Sequence, residues 1–360
     1  MDYKPYLPVL KWRQGEYQAL MRLKSSVKSS IRPLFVIPPI EFDFETQMPK
    51  KTAQAHIEPL VKRLEDKWGD GIASMDLHVS LHTSTMQSGE LVPEYVYRLL
   101  KQSKTNIKPV ITLHDEPEYI RIIMDYCRAK ACGLDIRIKF EELADAENMA
   151  LLPKLIIENN LNMAGIEIII DFGSKSEYEP FERIGTLLAV LISKIDSFSS
   201  YKSIYLVGTA LDFSSVPTNS LVTQPRADWK FYRRFYKENF ERISNLGFGD
   251  FSIEPPEFAP ALDMRVIKPA ARIIYSTEEL WVINKGSAFR DNPKQMHSMC
   301  HDFVCKSGFY VGSSLSEGDL KIHECAYYLC SNGSLTTWKE VGTSHHISFV
   351  VHQLASLHGQ

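Results

Sequence analysis

The sequence lacks any long hydrophobic run, and this absence limits where the protein can work. Across its 360 residues, no apolar stretch approaches the ~20 residues that a membrane-spanning helix needs. The amino terminus, residues 1–5, also lacks the basic-then-apolar layout of a secretory signal. We therefore expect a cytoplasmic protein with no membrane partner.

An excess of one charge is also missing, because 41 basic residues face 44 acidic ones and the formal net charge is −3. A protein that coats nucleic acid or a membrane surface carries a strong basic excess. Neither role is expected for the chain as a whole, although local basic clusters can still bind phosphate.

Several short catalytic and cofactor signatures are absent. The six cysteines form no CxxC pair and there is no HExxH motif, so we expect no zinc site. No GxGxxG or GxxxxGKS/T loop follows the first apolar segment, which argues against a dinucleotide or P-loop site. The GxSxG element of serine hydrolases is missing too.

What the sequence does contain is an eightfold alternation of short apolar segments and helix-like segments across residues 7–254. Several of the apolar segments are almost continuously hydrophobic, which is typical of parallel strands covered on both faces. The predicted strands span residues 6–12, 33–40, 73–81, 108–113, 133–140, 165–172, 203–211 and 248–254.

This alternation predicts an α/β fold, a (β/α)8 TIM-like barrel with a C-terminal elaboration of hairpins and helices. An open doubly wound sheet is the main alternative, but that fold usually carries a phosphate loop after its first strand. Because a barrel takes roughly 250 residues, we expect its core to fill residues 1–256. Residues 257–360 would form an elaboration packed on the barrel and would include its last helix if residues 344–357 are helical with Ser344 as the cap.

In such a barrel, polar side chains at the strand exits converge on one opening. Alternation along the fifth strand places Asp135, Arg137 and Lys139 on one face. Charged residues that point into a barrel need partners or water, and a cationic group of Lys11, Arg137 and Lys139 would bind a phosphate or carboxylate. The predicted substrate-binding residues are Lys11, Arg13, Glu41, Arg137 and Lys139.

The predicted catalytic residues are Asp171, Glu254, His114 and His346. Asp171 and Glu254, with Glu41 or His114, would bind Mg²⁺ or act as an acid/base pair, since hard cations prefer carboxylate oxygens. His114 or His346 would donate a proton, with His346 reaching over the barrel opening from the start of the last helix. Mg²⁺ is the one cofactor that this set suggests.

Each assignment has a structural alternative. Asp135, Glu167 and Asp171 would equally form an ion network that plugs the barrel. Glu16 would stabilise a helix amino terminus, and residues 345–346 would be a polar pair at a helix start. The aromatic and basic segment 229–242 would cover the barrel rather than stack nucleic-acid bases.

Several stretches together resemble the phage-type Beta protein family, found in phage genomes and in bacterial mobile or defence-associated loci. Residues 6–20 are similar to its opening Lys-x-x-x-Gly-Glu-x-x-Ala-Leu signature, with Lys11, Gly15 and Glu16 at its fixed positions. Residues 33–39 resemble its second strand, and residues 309–312, 316–319, 338 and 345–347 resemble its closing motifs. The resemblance implies a phage-conflict role and supplies no reaction or catalytic residues.

Two functions remain open. The first is an enzyme, a phosphoester hydrolase or nuclease that acts on a nucleotide or nucleic acid at the barrel opening. The second is a non-catalytic subunit of a defence complex that holds a protein partner from the same locus. In the first case Asp171→Asn abolishes turnover without unfolding the protein, and in the second, partner capture depends on the residues after 256.

Overall fold

The structure, a computed structural model, describes residues 5–43, 45–175, 178–258 and 268–359. Its described strands are β1 (Tyr6–Lys11), β2 (Leu34–Ile37), β3 (Phe42–Asp43), β4 (Met48–Pro49), β5 (Ile72–Leu77), β6 (Asn106–Thr112), β7 (Leu134–Lys139), β8 (Ile166–Ser174), β9 (Ser203–Thr209), β10 (Ser220–Pro225), β11 (Leu246–Asp250), β12 (Ala270–Ser276) and β13 (Leu280–Ala288).

Eight of these strands close into a parallel barrel, which confirms the predicted fold class. The ring runs β1, β2, β5, β6, β7, β8, β9 and β11, and β11 pairs with β1 to complete it. The strands are almost wholly buried because helices cover their outer faces, as their continuous apolar sequences predicted.

Helices alternate with the barrel strands and continue beyond them. They are α1 (Gln14–Arg22), α2 (Ser25–Ser30), α3 (Ala53–Ile57), α4 (Leu60–Lys67), α5 (Val92–Gln102), α6 (Pro117–Lys130), α7 (Ala146–Glu158), α8 (Phe181–Lys194), α9 (Ala227–Asn239), α10 (Gln295–Lys306), α11 (Glu317–Ala326) and α12 (Leu335–Leu357). Within the described ranges, none of them is long and apolar enough to cross a bilayer.

The last helix completes the outer layer of the barrel. Helix α12 packs against α1, α2 and β1, the position that the helix after the eighth strand takes in this fold. It begins at Leu335 because Ser334 caps it, with the side chain accepting the backbone N–H of Thr337 at 3.2 Å. The predicted start at Ser344 is therefore wrong, since that residue lies in the third turn.

A smaller lobe lies between β11 and α12 in the sequence. Strands β12 and β13 form the predicted hairpin, and β10 joins them as a third antiparallel strand. Helices α10 and α11 pack on this sheet around a second hydrophobic cluster that includes Tyr275, Phe303 and Ile322. The domain boundary predicted at residue 256 stays a prediction.

Candidate functional site

The amino-terminal end of the barrel interior is closed by buried charges. Arg32 donates from Nη1 to Asp135 at 2.7 Å and contacts Glu167 through Nη2, while Lys108 donates to Glu167 at 2.8 Å. Arg32, Asp135 and Glu167 are each 2% exposed or less. We call Arg32, Lys108, Asp135 and Glu167 the floor network. It contains Asp135 and Glu167 of the ion network considered above but not Asp171, and the arginine at its centre was not foreseen.

Burial raises the pKa of Asp135 in this network. At Glu167 burial acts in the same direction, but the Arg32 and Lys108 charges outweigh it and hold the pKa below its usual range. Above the network lies an apolar layer formed by Leu7, Val9, Leu34, Val36, Val110, Ile169, Tyr205 and Val207. This layer separates the floor network from the opposite end of the barrel.

A second arginine lies between two carboxylates at the carboxyl-terminal opening. Arg137 donates from Nη2 and Nε to Asp171 at 2.6 and 2.9 Å, and from Nη1 to Asp76 at 2.8 Å. The other oxygen of Asp171 accepts the backbone N–H of Gly173 at 2.8 Å. These contacts occupy Asp171 and fix the Arg137 guanidinium, and we call Arg137, Asp76 and Asp171 the mouth triad.

Asp76 and Arg137 of the mouth triad line a cavity of about 200 Å³ at the barrel opening, which we call the mouth cavity. Lys11, Asp76, His78, His82, Asp115, Arg137, Phe251 and Phe258 are among the residues that line it. All lie at or beyond the carboxyl ends of their strands, where the active sites of barrel enzymes are found.

Lys11 is the most unusual group in the mouth cavity because it is a cation that is 6% exposed. Its ammonium donates to the backbone carbonyl of Glu257 and lies 4.8 Å from the ring centre of Phe258. Within the described residues it has no carboxylate partner within 4 Å. Burial lowers the pKa of Lys11, as expected for a charge removed from water.

Two neighbouring groups have shifted pKa values for the same reason. Burial raises the pKa of Asp76 despite the opposing charge of Arg137, and burial lowers that of His78. Nδ1 of His78 accepts the backbone N–H of Ser80 at 3.2 Å, so the neutral ring carries its proton on Nε2. The lining of the cavity therefore contains three titratable groups with shifted pKa values, lowered for Lys11 and His78 and raised for Asp76.

Lys11 and Arg137 line the mouth cavity, and the other seven predicted site residues lie outside its lining. Lys139 is exposed, with its backbone N–H donated to Glu142 at 2.9 Å. His114 is 51% exposed, and its Nε2 lies 3.8 Å from Glu142. Arg13 and Glu41 lie 3.7 Å apart and line a separate pocket at the exits of β1 and β2.

Glu254 lies beside the barrel opening but is paired with Lys339 of α12 at 2.9 Å. The Lys339 stem passes over Gly15, where an added Cβ would lie 2.9 Å from Lys339 Cβ. Glu16 is buried in the same place, and burial, followed by the charge of Glu254, raises its pKa to about 8. The Lys-x-x-x-Gly-Glu segment thus joins α1 to α12 behind the mouth cavity.

His346 does not reach over the barrel opening, because it is fully buried in the middle of α12. Its Nε2 lies 2.8 Å from Asp250 and its Nδ1 lies 3.1 Å from Ser276 Oγ. The adjacent His345 contacts Asp319 at 3.1 Å. The two histidines bind the last helix to the barrel and to the lobe, and neither has access to a substrate from solvent.

The aromatic and basic helix α9 covers the barrel, as its structural alternative proposed. Trp229, Phe231, Tyr232 and Phe235 are buried, whereas Arg233 and Arg234 pair with Glu279 and Glu182 at 2.8 Å each. The predicted Mg²⁺ set of Asp171 and Glu254 is not assembled, since each carboxylate pairs with its own cation. Among the described residues, no group of three or more His, Cys, Asp or Glu side chains is placed to hold a metal.

Sequence reasoning missed Asp76 and His78, although a signal for them was present. The polar residues Ser74, Asp76 and His78 alternate along the third barrel strand. The predicted strand ran on to residue 81, whereas β5 ends at Leu77. Because the predicted strand was four residues too long, its expected exit lay beyond Asp76 and His78.

A family model described as Beta protein matches residues 6–352 of this chain. No curated protein matches the chain. Among solved structures, the chain is similar to the carboxyl transferase domain of Rhizobium etli pyruvate carboxylase, determined with 3-bromopyruvate, with 10% identity and a TM-score of 0.37. That similarity covers 96% of this chain and 48% of the other, so this chain spans about half its length. At this level of similarity nothing is inferred from it.

Proposed function

This chain belongs to the Beta protein family, and we propose that it is an enzyme acting on a small anionic molecule in the mouth cavity. Lys11 binds the phosphate or carboxylate group of the substrate, and Asp76 exchanges a proton with it. Arg137 and Asp171 are positioning residues that hold the Asp76 carboxyl in place.

The observation that carries this proposal is the burial of Lys11 without a carboxylate partner among the residues that the structure describes. A buried unpaired charge is strongly unfavourable, and proteins normally pair such groups. The carbonyl of Glu257 and the ring of Phe258 compensate the ammonium only in part. An anionic ligand group would complete the site, which explains why a cation is kept in the cavity.

The acid/base assignment rests on the position and the shifted pKa of Asp76. Its side chain is 18% exposed toward the mouth cavity, and one oxygen is held by Arg137. A raised pKa brings the carboxyl closer to the range in which it can both donate and accept a proton. His78, a neutral donor two residues further along the chain and also in the lining of the cavity, would stabilise charge that develops on the substrate.

The size of the mouth cavity limits the substrate. Ligand pockets commonly enclose about 300–1,000 Å³, so a cavity of about 200 Å³ suits a small molecule or the anionic end of a nucleotide. A nucleic-acid strand is the less suitable substrate, because it would require a groove along which the backbone could lie.

The test is a turnover screen of purified protein against nucleotides, other phosphoesters and small carboxylates, with and without Mg²⁺. We expect Asp76→Asn to lower the rate on any active substrate by roughly 10²–10⁴. Lys11→Met should weaken substrate binding by at least about tenfold. Lys154→Met, which removes an exposed lysine of α7, is the matched control.

Turnover that survives in both mouth variants would contradict the proposal. Absence of turnover across the whole screen would favour the second candidate described below.

The biological setting is a further part of the proposal. The family supports a role in conflict between phages and bacteria, and a cytoplasmic location would suit it. If that role depends on the mouth cavity, Lys11→Met should change the efficiency of phage plating on cells that express the protein, whereas Lys154→Met should not. Equal plating efficiency with both variants would show that the role does not depend on the mouth cavity.

A non-catalytic subunit that holds a protein partner is the second candidate. One observation favours it, the exposed apolar turn after α11, where Tyr327, Tyr328 and Leu329 are 47%, 72% and 71% exposed. Exposed apolar groups of this kind are common at protein interfaces. Co-purification with the products of neighbouring genes should be lost in Tyr328→Ser and Leu329→Ser and kept in Lys11→Met if this function is correct.

A further inference from the structure

A second pocket lies beside the mouth cavity, at the exits of β1 and β2, and the proposed enzyme function does not use it. It encloses about 310 Å³ between the strand exits and helices α3 and α4. We call it the β1–β2 pocket. Its lining differs from that of the mouth cavity in its charge, because cations there outnumber carboxylates.

Four cations and one carboxylate line the β1–β2 pocket: Arg13, Lys50, Lys51, Arg63 and Glu41. Glu41 is shared, lying 3.1 Å from Lys50 and 3.7 Å from Arg13. The side chain of Lys50, through its hydrogen bond, lowers the pKa of Glu41, which keeps that carboxylate ionised at neutral pH. The lining therefore carries a net charge of three positive units.

Lys51 and Arg63 are the cations that remain available. Neither has a carboxylate within 4 Å in the part of the chain that the structure describes. Arg63 instead lies 5.5 Å from the ring centre of Tyr17, a contact that holds the guanidinium plane at the pocket wall. Like charges brought together on a pocket wall repel one another, and a bound anion relieves that repulsion.

The remaining wall of the pocket is aromatic. Trp12 and Tyr17 pack at 5.4 Å between ring centres, and Trp12 is 5% exposed. The indole N–H of Trp12 has no acceptor among the described residues. The two rings offer a surface for an attached apolar or aromatic body.

We propose that the β1–β2 pocket binds a phosphorylated small molecule, with the phosphate dianion between Arg13, Lys51 and Arg63 and its organic part against Trp12 and Tyr17. The three-unit charge excess matches a dianion better than a single carboxylate. Arginine guanidinium groups also fit the paired oxygens of phosphate. The pocket volume suits a nucleoside monophosphate and excludes a nucleic-acid strand.

The probes are inorganic phosphate, adenosine monophosphate and adenosine, titrated to millimolar concentrations into protein labelled with ¹⁵N-tryptophan. The protein has five tryptophans, and Trp12→Phe assigns the Trp12 indole signal by its loss. We expect phosphate and the nucleotide to shift that signal and adenosine alone to leave it unchanged. The other four indole signals report whether each variant remains folded.

Charge variants test whether the pocket binds an anion and which residues bind it. Lys51→Gln and Arg63→Gln should each weaken nucleotide binding at least threefold, and the double variant should weaken it more than tenfold. Glu41→Gln should strengthen it several-fold, because it removes the one carboxylate of the pocket. Lys62→Gln, the same charge change on the exposed face of α4 outside the pocket, should leave the affinity unchanged.

Several outcomes would overturn the proposal. They are a shift by adenosine equal to that by the nucleotide, no shift by either phosphate compound, or equal affinities for the Arg63→Gln and Lys62→Gln variants. Lys11→Met should retain the Trp12 shift, so failure of the mouth-cavity proposal leaves this result unaffected. Loss of the shift in Lys11→Met with all indole signals intact would show that the pocket is not a separate site.

Discussion

The floor network and the mouth triad have the same chemistry at opposite ends of one barrel. In each, an arginine lies between two carboxylates, Arg32 in the first and Arg137 in the second. They differ in access to solvent, since the side chains of Arg32, Asp135 and Glu167 are 2% exposed or less and those of the mouth triad are 10–19% exposed. An apolar layer separates them.

The difference shows that an ion network inside a barrel is not by itself a functional site. At the floor, the arginine and both carboxylates are paired and buried, so the network can act only on stability. At the mouth, Asp76 and Arg137 line a cavity that also contains the ammonium of Lys11, which has no carboxylate within 4 Å in the described part of the chain. We therefore infer function from two features of the mouth, the charge of Lys11 without a carboxylate among the described residues and the access to solvent. The ion pairing alone indicates neither a structural nor a functional role.

The largest effect is expected from Arg32→Met. The substitution leaves Asp135 and Glu167 buried with Lys108 as their remaining strong partner, and removal of one member of a buried network typically costs about 3–5 kcal/mol. Urea unfolding should show a loss of that size in the free energy of unfolding. A loss below about 1 kcal/mol would mean that water already reaches the floor, and the comparison would fail.

Glu16 sharpens the comparison because it is a buried carboxyl without a paired arginine. Its pKa is raised to about 8, whereas that of Glu167 beside Arg32 is lowered. The folded state thus holds a proton that the unfolded state releases above its ordinary pKa of 4.5. The contribution of protonated Glu16 to the free energy of unfolding is fully present below pH 4.5 and is lost as the pH rises through about 8.

Glu16→Gln keeps the neutral form and removes the titration. The free energy of unfolding of this variant should rise relative to that of the unaltered protein by roughly 1 kcal/mol for each pH unit between pH 5 and 8. Urea unfolding of both proteins at four pH values measures this difference. A difference that stays flat, or that falls with rising pH, would contradict the account of Glu16.

A smaller loss of stability is expected from Arg137→Met. The carboxylates of Asp76 and Asp171 would be left without their cation, but Asp76 lines the mouth cavity and both side chains are partly exposed, so water can hydrate them. We therefore expect a loss of about 1–2 kcal/mol, well below that of Arg32→Met. Equal losses in the two variants, measured in the same urea titration, would remove the distinction between floor and mouth.

The smallest effect is expected from Lys139→Ala. Alternation along β7 groups Lys139 with Arg137, yet its side chain is exposed and is not part of the mouth cavity lining. Neither the free energy of unfolding nor ligand binding at the mouth should change measurably. Weakened ligand binding in this variant would support the cationic group of Lys11, Arg137 and Lys139 that the sequence predicted.

Periodicity made the barrel predictable, and with it the placement of Lys11, Arg137 and Asp171 at one end. Arg32 was not predictable, because it lies just before β2 and enters the interior only when the ring closes. His346 was misplaced because the last helix was predicted to begin at Ser344, although Ser334 is the cap of α12 and His346 lies in its middle. Pairing is also invisible in sequence, so Asp171 and Glu254 gave no sign that each had its own cation.

The measurement that tests the central claim most directly is anion binding at the mouth cavity by calorimetry. It should use phosphate- and carboxylate-bearing small molecules and a Lys51→Gln, Arg63→Gln background, which removes the neighbouring pocket. We predict that at least one compound binds and that adding Lys11→Met weakens it by about tenfold or more. Equal binding with and without Lys11→Met, or no binding by any compound, would contradict the account.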